Sequence, residues 1–237
     1  MSAVARLTLP DLTAGARPID PDPLLHRSQS IVDEMRRQTR DLHVQAERSG
    51  VVAALLRGQA SRQMYAHYLR ALLPAYQALE RALQANLHPA LGELAHPALY
   101  RAPAIEADLR HLAGPDWPAV LPVLDSGRRY AACIESAAAE GDGTRLIAHC
   151  YTRYLGDLNG GQVIGRRAAA LGGNGTWTPA FHAFPALENP REFADAYRQV
   201  LDAAADQSRR PHEIVVEAKI AFQMNIDLSI EVSATYS

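Results

Sequence analysis

From Ser28 onward, apolar residues return every three or four positions, the spacing of helices that bury one face. Ile31, Met35, Leu42 and Ala46 mark the first such stretch, and Gly50 is placed to end or kink it. Ser61 is placed to cap a long helix whose apolar face is Tyr65, Leu69, Leu72, Tyr76, Leu79 and Leu83. Pro74 falls inside that pattern. It lacks an N–H and crowds the carbonyl one turn back, so a kink or a split is predicted there. Residues 86–103 contain Pro89, Pro97 and Pro103 and read as a connection with short helical turns. A helix over about Ala104–Leu112 is broken by Gly114-Pro115. Pro122 starts another, carrying Leu124, Tyr130, Ile134 and Ala138 and ended by Gly141 and Gly143. Thr144 then caps a helix that runs through Ile147, Tyr151, Tyr154, Leu155, Leu158 and Val163 to Leu171. Residues 172–188 read as loop. Asn189 is a cap followed by Pro190 at the first helical position, with the helix reaching about Asp206. Pro211 opens the last helix, with Ile214, Val215, Ala218, Phe222, Ile226 and Ile230 on one side. No strand-period run with turn chemistry is found, so the fold class is all-α, several helices packed on one core. Four prolines within the first 23 residues make 1–27 a flexible arm, leaving 28–237 as a single domain.

Composition changes this picture in a few places. At 48% hydrophobic and 21% charged residues, the chain can bury a core, and disorder is excluded as its default state. With 24 basic against 26 acidic residues it lacks the charge excess of a nucleic-acid coat. The N-terminus has no apolar run of a secretory leader, and no stretch approaches the roughly 18 apolar residues of a spanning helix. A soluble, cytoplasmic protein is therefore expected, with no nucleic acid or membrane as partner. The two cysteines, Cys133 and Cys150, form no CxxC pair and suit a reducing compartment. Glycine is the anomaly: seven of the 15 lie between positions 156 and 175, where a helix is otherwise expected. Gly156, Gly160 and Gly161 share about one turn, and each costs a helix about 0.5–1 kcal/mol relative to Ala. Two explanations stay open. A planar ligand could lie against bare main chain, or a neighbouring helix could pack unusually close.

The candidate chemistry lies on two of the predicted helices. His43 and Glu47 are four apart and share a face, and Arg36 and Arg40 precede them on the same stripe. An imidazole with a carboxylate one turn on suits a metal ligand with an orienting partner, and the arginines could hold carboxylates of a ligand. A solvated charged face explains the same residues. Asp157 lies between the glycines, one turn after Arg153. A buried carboxylate needs partners, and Arg153, Tyr76, Tyr130 and Asn225 are candidates. Ordinary core hydrogen bonding accounts for each of them equally well.

The segments Asp41-Leu-His-Val-Gln-Ala-Glu47 and Tyr151-Thr-Arg-Tyr-Leu-Gly-Asp-Leu-Asn-Gly-Gly-Gln162 together resemble the soluble, bacterial type of heme oxygenase. The resemblance continues through Leu79-Glu80, Tyr130, Tyr197-Arg198 and Glu217-Ala-Lys-Ile-Ala-Phe222 to Asn225, covering about residues 30 to 232. It implies a multi-helix bundle holding heme between a proximal and a kinked distal helix. The implied activity is cleavage of heme b, both substrate and cofactor, to biliverdin, carbon monoxide and ferrous iron. Dioxygen is consumed, and electrons come from an external donor: a ferredoxin, a flavodoxin or an NAD(P)H-dependent reductase. No GxGxxG follows a strand, which agrees with an outside donor. In the resemblance His43 matches the iron ligand and Glu47 the residue near its other nitrogen. Arg36, Arg40, Arg198 and Tyr151 match contacts to the heme propionates. Ala194 stands where the family has a further Lys. Gly156 and Gly160, with Gly161 beside them, match the glycines over the porphyrin. Asp157 matches the carboxylate that organises distal waters, with Tyr76, Arg153, Tyr130 and Asn225 completing that network and Phe222 forming a pocket wall. Pro74 is unlike the family's usual residue.

Two other readings remain in view. A non-catalytic heme carrier would keep His43 and the arginines but has no use for Asp157 between glycines. A di-iron carboxylate enzyme is suggested by Glu93-Leu-Ala-His96, yet that motif should occur twice on facing helices and occurs once.

Overall fold

A computed structural model describes residues 30–85, 89–173 and 177–236, so the predicted arm over 1–27 lies outside the described residues. Helix α1 (Ile31–Gln38) starts at Ser30, whose hydroxyl accepts from Asp33 N–H and donates to Asp202. Helix α2 (Arg40–Arg48) follows after a break at Thr39. The single helix expected here is interrupted because the Thr39 hydroxyl donates back to the Met35 carbonyl at 2.8 Å, a bond that bends helices. Helix α3 (Gly50–Leu56) begins at the predicted kink. Gly50 has φ +55°, and a Cβ there would run into the backbone carbonyl of Ser229. Gly50→Ala is therefore expected to cost at least about 1–3 kcal/mol, from left-handed strain plus the collision. A thermal melt checks this, and an unchanged midpoint would refute it.

Helix α4 (Arg62–Ala85) is capped by Ser61, which accepts from Met64 N–H at 3.1 Å, and all six residues of its predicted face are buried. Pro74 does not split it. A proline inside a helix costs about 3 kcal/mol, but Leu73, Ala75 and Tyr76 beside it are fully buried, which offsets that cost. Next come α5 (Pro89–Gly92), a 3₁₀ turn at Pro97–Leu99, and α6 (Ala102–Ala113), closed by Gly114 at φ +83°. A short α7 (Trp117–Val120) was not predicted, and α8 (Asp125–Ala139) begins three residues after Pro122. Gly127 lets α8 cross α4 closely, since a Cβ there would lie 2.5 Å from the Ala71 carbonyl oxygen.

Helix α9 (Thr144–Cys150) is preceded by Gly143 in the left-handed region, so Thr144 is its first residue and not its cap. A π-helical turn, Tyr151–Leu155, joins it to α10 (Gly156–Ala169). Within the predicted loop, Ala180–His182 forms a 3₁₀ turn because the Asp108 carboxylate accepts from Ala180 and Phe181 N–H, both at 2.8 Å. Helix α11 (Pro190–Asp206) is capped by Asn189 as predicted, and α12 (Pro211–Ala234) ends the described chain. On α12, Ile214, Ala218, Phe222 and Ile226 are buried and Val215 half-buried, but Ile230 is 46% exposed. In the last turns the buried face runs instead through Leu228, Ser229 and Val232, with Ser229 against α3, which leaves Ile230 outside it. No strand occurs among the described residues. Helix α4 packs on α6 and α8, while α12 packs on α2, α3, α8, α9 and the π turn.

Candidate functional site

The π turn sits in the middle of an otherwise α-helical run and inserts one extra residue per turn, a feature frequent at functional sites. It buries Thr152, Arg153, Tyr154 and Leu155 in succession and then delivers Gly156 and Gly160 to an exposed face. A Cβ built on either glycine meets no atom within 4 Å, so bare main chain lies open there. Gly161, predicted to share that role, is turned away. It is buried, and its Cβ would lie 3.3 Å from His182 Nδ1. Gly165, one turn on, meets the same side chain at 2.8 Å. The glycines divide by position. Gly156 and Gly160 keep a face open, and Gly161 and Gly165 allow close packing.

Asp157 is half-buried beside that face and accepts a 2.6 Å hydrogen bond from the Tyr76 hydroxyl. Burial pushes its carboxyl up to about 6, against the pull of Arg153, Tyr76 and Arg101. Burial, with Asp157 next to it, lifts the Tyr76 phenol well above its usual range, so Tyr76 remains a donor. The Arg153 guanidinium lies over the rings of Tyr76 (5.8 Å) and Tyr130 (5.7 Å). Burial opposes its charge, but Tyr130, Tyr76 and Asp157 outweigh that and hold it protonated. Tyr130 Oη, Arg153 Nε and Asn225 Oδ1 are buried without a hydrogen-bond partner. Such atoms cost about 1–3 kcal/mol each if left dry, which marks a place for ordered water or ligand polar atoms.

On α2, His43 Nδ1 lies 3.6 Å from Glu47 Oε1, and the two side chains are 60% and 56% exposed. The His43 ring is 5.9 Å from that of Phe222 on α12. Asn225 follows Phe222 on the same helix, which packs on both α2 and the π turn. Helix α12 thus ties the predicted proximal residues to the predicted distal ones. The half-buried Tyr151 phenol is raised by burial, while a hydrogen bond with Thr39 and the charges of Arg36 and Arg198 pull it down. The fold therefore gathers Tyr151, Arg36 and Arg198. Arg198 pairs with Asp195 and donates to Asn159 Oδ1 at 3.4 Å. Arg40 is exposed on α2, across the Thr39 break from Arg36, and Ala194 is buried and brings no charge to the cluster.

Sequence reasoning missed Arg101. It is buried, lies 4.1 Å over the Phe184 ring, donates to the Ala183 carbonyl, and lowers the Asp157 carboxyl from a distance. Its only sequence signal was a lone cation in a proline-flanked connection. Thr39 and Asn159 were missed for the same reason, since their partners are far away in the chain. Glu93 and His96 are exposed, and His96 caps the 3₁₀ turn by accepting from Ala98 N–H. They give no di-iron pair.

Residues 29–231 match the family model described as Heme oxygenase. This chain belongs to the heme oxygenase family. It is 34% identical over 215 residues to heme oxygenase 1 of Rattus norvegicus, covering 87% of this chain and 73% of that one. Against heme oxygenase 1 of Synechocystis it is 31% identical over 205 residues, covering 85% and 84%. The crystal structure of heme oxygenase-1 from Synechocystis in complex with heme superimposes with a TM-score of 0.80 at 29% identity, covering 87% of this chain and 94% of that one. The all-helical architecture is thus that of solved heme oxygenases. Among the described residues, no helix is long and apolar enough to cross a membrane.

Proposed function

We propose that residues 28–237 act as one catalytic domain that cleaves heme to biliverdin, carbon monoxide and ferrous iron. Dioxygen and electrons from an external donor drive the reaction. The carrying observation is the bare main chain at Gly156 and Gly160, next to the Tyr76–Asp157 pair. A flat porphyrin fits against such a face, and its two carboxylates fit the cations Arg36 and Arg198 beside Tyr151. Arg40 adds a third cation at the rim. His43 Nδ1 is turned to Glu47, which leaves Nε2 as the atom to ligate iron. Phe222, against the His43 ring, closes one side of the pocket.

When bound, heme supplies the iron at which dioxygen is activated and the ring carbon that is oxidised. The protein supplies position and protons. Arg36, Arg40, Arg198 and Tyr151 fix the rotation of the ring, and so which ring carbon is presented. Asp157 holds water through its free carboxylate lone pairs, and Tyr76 fixes the carboxylate. Tyr130 Oη, Arg153 Nε and Asn225 Oδ1 offer that water its remaining partners. Protons then reach the open face through water and not from a side chain in direct contact. A heme carrier would need the cations and His43 but not the Tyr76–Asp157 pair. The two free cysteines suit a reducing cytoplasm, and a ferredoxin, flavodoxin or NAD(P)H-dependent reductase there is the proposed donor.

The test is a chromatogram of products from the purified chain with heme, dioxygen and a generic reductase. Biliverdin is the expected product, and an undiminished heme absorption would leave only a carrier. In Arg36→Ala/Arg198→Ala, heme affinity should fall about tenfold, about 1.4 kcal/mol, and the biliverdin isomer ratio should change. Identical isomer ratio and affinity would remove both arginines from the site.

A further inference from the structure

Behind the distal network, where the His149 ring lies 5.9 Å from that of Tyr130, Cys133 of α8, His149 of α9 and Glu217 of α12 converge on one point. The Cys133 thiol and His149 Nε2 both direct a hydrogen at Glu217 Oε1, at 3.3 and 2.8 Å. The three donor atoms all lie within 4.8 Å of one another. His149 and Glu217 are buried, and Cys133 is half-buried. We propose that these three side chains form a binding site for a zinc-class divalent cation, ligated by Cys133 Sγ, His149 Nε2 and Glu217 Oε1.

The donor set fits this class. One thiolate, one imidazole and one carboxylate select borderline metals of the zinc type over Mg²⁺ or Ca²⁺. A tetrahedral zinc with bonds of about 2.3 Å to sulfur and about 2.0–2.1 Å to nitrogen and oxygen sets its ligands about 3.3–3.6 Å apart. The separations on Glu217 Oε1 are within about half an ångström of this. The second oxygen, Oε2, is held by Arg145 Nε at 2.8 Å, so Oε1 is the one left for a metal and its direction is fixed. Thiolate and carboxylate together neutralise a divalent ion. The thiol proton leaves to solvent, and the imidazole proton moves from Nε2 to Nδ1. That shift gives up the Nε2–H bond to Glu217 Oε1, which the two bonds to the metal replace, and Nδ1, now without a partner, is free to take the proton. Glu217 reaches a notch of about 340 Å³ that is also lined by Glu140 and Glu213 and by Arg145 and Arg210, which pair with those two acids; its three carboxylates outnumber its two cations, so it gives an ion and a fourth, water ligand a way in. The Glu93/His96 pair offers nothing comparable, and this is the single such donor group among the described residues.

Co²⁺ titrated into the heme-free, full-length protein should produce a thiolate-to-cobalt charge-transfer band that saturates at one ion per chain. Zn²⁺ should abolish the band by competition, and Cys133→Ser should lack it. No band, or a band that persists in Cys133→Ser, overturns the proposal. A second measurement needs no variant. Zn²⁺ at about ten times its Kd should slow alkylation of Cys133 about tenfold, read by peptide mass, while Mg²⁺ leaves the rate unchanged. Equal rates with and without Zn²⁺ overturn the proposal.

Discussion

Asp157→Ala is expected to lower the rate of biliverdin formation by about 10²-fold or more while leaving heme affinity within about twofold. The carboxylate is the fixed acceptor of the Tyr76 hydroxyl at 2.6 Å and the one acid beside Gly156 among the described residues. Removing it frees Tyr76 and leaves Arg153 facing two phenols without its counter-charge. Heme should still bind, because His43, Arg36 and Arg198 are untouched, but it should be consumed with little biliverdin. Normal biliverdin yield would make the carboxylate structural.

The acidity of Asp157 sharpens this test. Burial raises its carboxyl to about 6, so the anion predominates above that pH and is lost below it. Wild-type activity should therefore fall as pH drops through about 6, and Asp157→Asn should lack that limb. Stability runs the other way. A carboxyl raised in the folded state binds its proton more tightly than in the unfolded chain, so its contribution to stability falls as pH rises from about 4 to about 6. Asp157→Asn should accordingly melt no lower than wild type at pH 7. A variant that is as stable and yet inactive separates function from folding.

His43→Ala is the second large effect. Even residues that merely orient a metal ligand are worth about 10–100-fold in metal affinity, so loss of the ligand itself should weaken heme binding by more than about 100-fold. The heme spectrum should lose the signature of axial imidazole. His43 is 60% exposed, so truncating it should leave the melting midpoint nearly unchanged. Glu47→Gln, which keeps the ligand and alters only its partner 3.6 Å away, should cost about tenfold or less. An unchanged spectrum and affinity in His43→Ala would move the iron ligand elsewhere.

Much of the helical plan was legible because it rests on local physics. The face of α4 repeats at helical spacing, Ser61 and Asn189 carry their own capping oxygens, and Gly114 ends α6 where its positive φ is free of strain. The candidate residues were legible for a different reason, since two motifs resemble one family closely. What stayed hidden depends on partners distant in the chain. Thr39 bends the first helix by donating back to the Met35 carbonyl, but its contact with Tyr151, 112 positions on, is invisible in the sequence. Pro74 is carried through α4 by the burial of its neighbours.

Composition and spacing alone settled that the chain is helical and that a turn rich in glycine needs a reason. Only the tertiary structure decided which glycines leave a face open and which allow close packing. A glycine has no side chain to reveal its role, and its meaning is set by what lies across from it. Open space lies over Gly156 and Gly160, while His182 lies against Gly161 and Gly165. The same holds for Cys133, His149 and Glu217, which are scattered over 85 positions and become one cluster only where α8, α9 and α12 pack.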